Sequence, residues 1–212
     1  MSEIILLGLN HKTAPVEVRE CLAFSGEETT VALESLKKEP AVNEVLLIST
    51  CNRVEVLLVT DNAEAALKST RKFIAEFNRV PVDTFKDALY VHMGDEAVRH
   101  VFRVASSLDS MVVGEPQILG QIKAAYHLAT QIKTSGVILN RLLHRTFFIA
   151  KRIRSETGIG DHAVSISYAG SELGRKIFGS LDNKKVLLIG AGEMAELAVE
   201  HLIRNRAGEI LV

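Results

Sequence analysis

The sequence predicts a mixed α/β (α+β) chain in two parts: an antiparallel βαββαβ sheet with added helices, then the start of a parallel βαβ unit. Three observations predict it. Short apolar runs alternate with amphipathic stretches in the order β-α-β-β-α-β over residues 1–93. Residues 94–157 then repeat apolar side chains at helical spacing. Last, a strand-like run, 185–189, passes directly into Gly190-Ala191-Gly192-Glu193-Met194-Ala195 and another amphipathic stretch.

Residues 4–9 read as the first strand, and Asn10-His11-Lys12-Thr13-Ala14-Pro15 as a loop entering a short helix with Pro in its first turn. His11 and Lys12 stand at the strand end, either as residues of a surface loop or as contacts for a phosphate or carboxylate beside the Cys51 loop. Cys21, behind Val16 and Val18, reads as core packing. Ser25 and Glu28 have capping-box spacing, and Ala32, Leu33 and Leu36 form one apolar face of a helix ending before Pro40. Residues 44–48 and 54–59 are strand formers joined by Ser49-Thr50-Cys51-Asn52-Arg53, which predicts a hairpin with a connection longer than two residues. An amphipathic helix over 63–77, through Ala66, Leu67, Phe73, Ile74 and Phe77, precedes a closing strand, Leu89-Tyr90-Val91-His92. This is the split βαβ, ferredoxin-like order, whose sheet can carry helices on one face and leave the other open. Such a fold hosts many functions and decides none.

Asp95 can cap the next helix, which carries Val98, Val101, Phe102 and Ala105 with His100 near its middle. Regularity breaks over 106–114. A helix then begins near Glu115-Pro116, and another spans 137–157 with Arg141, Arg145, Lys151, Arg152 and Arg154 among its apolar positions. That charge suits a solvated face of a connecting helix or, equally, a polynucleotide backbone. One more helix, 162–178, leads to the final segment. There the GxGxxA pattern between strand and helix lets the backbone approach a pyrophosphate and sets a helix N-terminus against its charge. Residues 209–212 read as the second strand of that unit, so its sheet reads as cut inside a domain. The expected division is 1–157 (sheet over 1–93, helices over 94–157) and 158–212 (linker helix and a partial nucleotide-binding unit).

Lys plus Arg (25) nearly balance Asp plus Glu (26), so any nucleic-acid contact must come from a local patch. Neither a leader nor an apolar run of about eighteen residues is present, which predicts a soluble, cytoplasmic protein. The two cysteines lack CxxC or Cys/His metal spacing and are expected to be free thiols, with no metal. Cys51 has two readings. Arg53 and the hydroxyls of Ser49 and Thr50 could favour a nucleophilic thiolate, or the cysteine could be buried with Arg53 merely tipping a strand.

Four stretches then fit one family: Gly8-Leu9-Asn10-His11-Lys12-Thr13-Ala14-Pro15, Ser49-Thr50-Cys51-Asn52-Arg53, residues 105–121 (ASSLDSMVVGEPQILGQ), and 186–192. Together they resemble glutamyl-tRNA reductase. The resemblance implies NADPH-dependent reduction of glutamyl-tRNA to glutamate 1-semialdehyde through a cysteine thioester, the opening of the five-carbon route to 5-aminolevulinate and tetrapyrroles. It implies Cys51 as nucleophile and His100 as a residue needed for activity, with His92 a weaker candidate. It implies substrate contacts from Thr50, Asn52, Arg53, Ser110, Glu115, Pro116, Gln117 and Gln121, and NADPH contacts from Gly190, Ala191, Gly192, Glu193, Met194 and Ala195, a cofactor site expected to be incomplete here. The family's partners would be glutamyl-tRNA, glutamate 1-semialdehyde aminomutase and a second copy in a homodimer, with no membrane. Two other readings compete: a non-catalytic RNA-binding or regulatory module built on the sheet and basic helix, and a conventional dehydrogenase that leaves Cys51 without a role.

Overall fold

The computed structural model describes residues 2–159 and 166–212. The first part runs β1 (Glu3–Asn10), α1 (Val16–Cys21), α2 (Gly26–Lys37), β2 (Glu44–Thr50), β3 (Arg53–Thr60), α3 (Ala63–Asn78), β4 (Tyr90–Met93), α4 (Gly94–Ala105), α5 (Gln117–Gln131) and α6 (Val137–Glu156). The strands form one sheet in the order β2-β3-β1-β4, every neighbour antiparallel. This is the ferredoxin-like arrangement the element order predicts. Glu28 returns to the Ser25 N–H at 2.9 Å, closing the predicted capping box of α2.

Register decides which side chains share a face, because directly opposed residues point the same way. One face carries Glu44, Leu46, Ile48 and Thr50 of β2, Arg53, Glu55 and Leu57 of β3, Leu6, Gly8 and Asn10 of β1, and Tyr90 and His92 of β4. The ferredoxin-like arrangement can leave this face open; here α4, α5 and α6 cover it. The reason lies in the strands themselves. All eight residues of β3 are buried, and Leu6, Leu46, Ile48 and Leu57 would otherwise meet water. Helices α2 and α3 cover the opposite face, through Ala32, Leu33, Leu36, Ala66 and Ile74.

Two further expectations are corrected. The strands of the hairpin pair as far as Thr50 with Arg53, so the connection is the two residues Cys51 and Asn52 alone. Cys21 is exposed rather than packed in the core. Helix α1 is six residues long and buries none of them; Leu22 and Phe24, just beyond it, enter the core instead. Asp95 lies in the first turn of α4, which Met93 precedes as N-cap.

Helix α6 is tied to the sheet from its first turn. Glu44, buried on edge strand β2, accepts from the backbone N–H groups of Gly136 (3.0 Å), Ile138 (3.0 Å) and Leu139 (2.7 Å). These are orphan donors that a helix start must satisfy from outside. A Cβ at Gly136 would stand 2.7 Å from the Glu44 carboxyl, so glycine is needed for this approach.

The second part comprises α7 (Ile166–Phe178), β5 (Lys185–Leu187), α8 (Glu193–Arg204) and β6 (Glu209–Leu211). Residues 162–165, the predicted start of α7, lie outside the described residues. Strands β5 and β6 pair in parallel, Val186 opposite Ile210, with α8 as the crossover. Among the described residues no helix is long and apolar enough to cross a membrane.

Candidate active site

The turn at Cys51 and Asn52 is held from three sides. Thr50 Oγ1 accepts from the N–H groups of Asn52 (3.2 Å) and Arg53 (3.1 Å). The His11 N–H donates to the Asn52 carbonyl at 2.9 Å, and Arg19 Nε to the Cys51 carbonyl at 3.2 Å. Neither turn residue has positive φ, which primed hairpin turns require. These outside contacts stabilise the turn in their place. They leave the Cys51 thiol exposed at the mouth of a cavity of about 310 Å³, lined by Thr50, Cys51, Asn52, Arg53, Ser110, Glu115, Gln117, Ile118 and Gln121.

The far wall comes from the irregular segment after α4 and the first turns of α5. Gln117 and Gln121 are four residues apart on α5 and share a side. Ser107, in the left-handed region at φ 60°, bends the chain, and its N–H-accepting carbonyl holds Gly114 at 3.0 Å. Its hydroxyl also donates to the Glu115 carbonyl. Arg154 of α6 reaches across to the carbonyls of Gly114 and Glu115, 3.1 Å each. So α6 spends one of its cations on the wall of the cavity.

Beneath the cavity lies a buried charge network. Arg53 is 1% exposed; its Nη1 donates to Glu55 Oε1 at 2.7 Å and its Nη2 to the Asp109 carbonyl, with Asp109 Oδ2 at 3.6 Å. Lys12 Nζ pairs with Asp109 Oδ1. Glu55 Oε1 also accepts from Tyr90 and lies 2.7 Å from His100 Nε2, while its Oε2 is buried without a partner among the described residues. His100 stacks on His92, ring centroids 4.6 Å apart. A Cβ on Gly8 would come within 2.7 Å of Glu55 Cγ, so this glycine makes room for the carboxylate.

Burial alone would raise the Glu55 pKa, but the His100 hydrogen bond and the Arg53 charge hold it below the usual carboxylate range. Asp109 is likewise held low: burial opposes its charge, and the Lys12 bond with the Arg53 charge outweighs burial. Tyr90 is pushed well above its ordinary value by burial and by the Glu55 carboxylate, so it stays a donor. Burial lowers His11, helped by the cations Lys12 and Arg53, and lowers His92, helped by His100.

Of the residues expected to meet substrate, Thr50, Cys51, Asn52, Arg53, Ser110, Glu115, Gln117 and Gln121 all line the one cavity. Pro116 does not; it precedes α5 as its N-cap. His100 does not either: it lies one layer behind, against Glu55. Lys12 does contact a carboxylate, but the protein's own Asp109. Glu55, Tyr90 and Asp109 were missed, and Arg154, read only as one of the basic residues of α6, turns out to hold the cavity wall. Spacing could have found Glu55, since residues two apart on a strand share a face and Arg53 and Glu55 are such a pair.

In the second part, Gly190, Ala191 and Gly192 end the turn that leads from β5 into α8, and Glu193, Met194 and Ala195 are the first residues of the helix. Gly190 has φ 117°, Gly192 is the N-cap without a side-chain hydrogen bond, and a Cβ on either glycine would meet nothing within 4 Å. The uncapped helix start and its open approach fit a pyrophosphate.

Residues 7–157 match the family model described as Glutamyl-tRNAGlu reductase, N-terminal domain, and residues 172–212 the model Shikimate / quinate 5-dehydrogenase. Similar curated proteins include the glutamyl-tRNA reductase of Desulfatibacillum aliphaticivorans (60% identical over 210 residues, 99% of this chain and 48% of the relative). That of Syntrophobacter fumaroxidans is 55% identical over 213 residues, 100% of this chain and 46% of the relative. Among solved structures, Glutamyl-tRNA Reductase from Methanopyrus kandleri superposes with a TM-score of 0.66 at 36% identity, covering 98% of this chain and 48% of that one. The chain thus spans about half the length of the curated relatives it matches.

Proposed function

Because the chain belongs to the glutamyl-tRNA reductase family, we propose that its cavity carries out the acyl-transfer half of that enzyme's reaction, with Cys51 as nucleophile. The observation that carries this is the exposed thiol of Cys51 at the rim of a cavity otherwise lined by seven polar or charged residues and the apolar Ile118. The Cys51 sulfur attacks the acyl carbon of the glutamyl ester; the bond to the ribose oxygen breaks, and that oxygen leaves carrying the proton the thiol gave up. A thioester remains on Cys51.

The cavity's chemistry suits a glutamyl group. A guanidinium has five N–H groups, so the two that Arg53 commits to Glu55 and Asp109 leave others for a substrate carboxylate. Glu115 supplies a negative charge for the ammonium, and Ser110, Gln117 and Gln121 can bond the remaining polar atoms. NADPH, held at Gly190 to Ala195, would supply the hydride that takes the thioester to the aldehyde. Domain limits of 1–157 and 158–212 divide these two tasks.

A second reading has one observation behind it. The exposed face of α6 carries Arg141, Arg145, Lys151 and Arg152, with Arg145 and Arg152 5.2 and 5.9 Å from the centroid of exposed Phe148. A cationic, aromatic stripe suits an RNA backbone, and would serve either the enzyme's tRNA or a non-catalytic RNA module. One experiment separates them. Incubation with glutamyl-tRNA should leave a glutamyl adduct located on Cys51 by mass spectrometry, and Cys51→Ser should abolish it while the melting curve is unchanged. RNA binding with no adduct on the unmodified chain would favour the module.

A further inference from the structure

We infer that His100 acts on the site as a positioning residue, through Glu55 and Arg53, and not by touching the substrate; this rests on the acyl-transfer reading above. The geometry is a three-step relay. Arg53 lines the cavity, Glu55 holds Arg53 Nη1 at 2.7 Å, and His100 Nε2 holds the same Glu55 oxygen at 2.7 Å, while His100 itself is absent from the cavity wall. A carboxylate kept ionised can only accept, so His100 presents a hydrogen on Nε2 to it, and Tyr90 does the same with its hydroxyl.

The relay is fixed from several elements. Glu55 and Arg53 sit two residues apart on β3, Tyr90 is on β4, His100 on α4, and Asp109, which holds the other end of the guanidinium, lies beyond α4. Gly8 of β1 leaves the space that Glu55 fills. Without a donor at position 100, one oxygen would be left to Arg53 and Tyr90, and the carboxylate could rotate about its last torsion. The Arg53 fork would turn with it. What the cavity loses is the aim of its cation, and misplacement by about 1 Å costs up to ~100-fold.

Two substitutions at one position separate this from proton transfer. Glutamine keeps an N–H donor near the place of Nε2 but cannot exchange protons as imidazole does. His100→Leu and Glu55→Gln should each raise the glutamyl-tRNA concentration giving half-maximal Cys51 acylation by about tenfold. His100→Gln should recover most of what His100→Leu loses, and the pH profile of acylation should keep its shape. Alkylation of Cys51 by iodoacetamide should be equally fast in all of them, and circular dichroism should report an intact fold. Folded His100→Gln as impaired as His100→Leu would overturn the relay. The Arg53 guanidinium N–H signals give a readout free of turnover: slow hydrogen exchange in the unmodified chain and His100→Gln, faster in His100→Leu and Glu55→Gln. Unchanged exchange in the last two would also overturn it, whereas absence of any adduct on the unmodified chain would count against the acyl-transfer reading alone.

Discussion

A carboxylate sealed beneath a sheet must stay ionised to hold the groups around it, and that ties the fold to pH. Glu55 and Asp109 both have native pKa values below their ordinary 4.5 and 3.8. A group depressed in this way contributes stability that is fully present above its unfolded value and is lost as pH falls toward the native one. His11 and His92, lowered from 6.5, act in the same direction, and their contribution fades as pH falls through that value. Urea midpoints should therefore be level above about pH 7, decline gently near 6.5, and drop steeply below about 4.5. In Glu55→Gln the steep limb should be shallower; an unaltered limb would mean that Glu55 does not titrate with unfolding. At this scale the sequence was legible where the motif is continuous, as in Thr50 to Arg53, and illegible where partners meet only through the fold. Asp109 lies 97 residues from Lys12 and 56 from Arg53, and no local pattern joins them.

The elements were easier to read than their attachments. Each strand and helix of the βαββαβ unit announces itself by its own period, which is why the sheet and α2 to α6 lie close to where the pattern puts them. Glu44 could not be read this way: it opens an apolar strand as a charge would at any sheet edge, and the donors it serves are 92 to 95 residues away. Yet it is the acceptor for the start of α6. The helix in turn steadies the cavity wall through Arg154. Replacing Glu44 with Gln puts an amide donor against one of these N–H groups. The cost should be about 2 kcal/mol, read from urea denaturation, and Glu44→Ala should cost as much or more because all three donors lose their acceptor. A change below about 0.5 kcal/mol, typical of an exposed substitution, would show that water can replace the carboxylate. The same blindness explains Cys21, whose position in a six-residue helix looked apolar but whose neighbours in space do not close over it.

Across the whole molecule, the two chemical tasks proposed above fall on different stretches of chain, which would make them separable. All nine residues lining the cavity lie between positions 50 and 121, whereas the turn suited to a dinucleotide lies at 190–195. The first stretch stands on a four-stranded sheet buried on both faces, the second on a two-stranded pair that leaves Leu187 68% and Ile189 91% exposed. A pair of strands is too small to be independently firm, and a dinucleotide site draws on several more. The GxGxxA turn was legible because its residues are contiguous and its backbone does the work; the firmness of its support was not. A polypeptide of residues 1–212 by itself should therefore acylate without reducing. Mixed with glutamyl-tRNA, it should form the Cys51 adduct and release free glutamate as water attacks the thioester, at a rate that added NADPH does not change. Fluorescence titration with NADPH should rise without reaching saturation at stoichiometric concentrations. Tight stoichiometric binding, or the appearance of glutamate 1-semialdehyde, would instead mean that the short β5-α8-β6 unit positions the cofactor unaided.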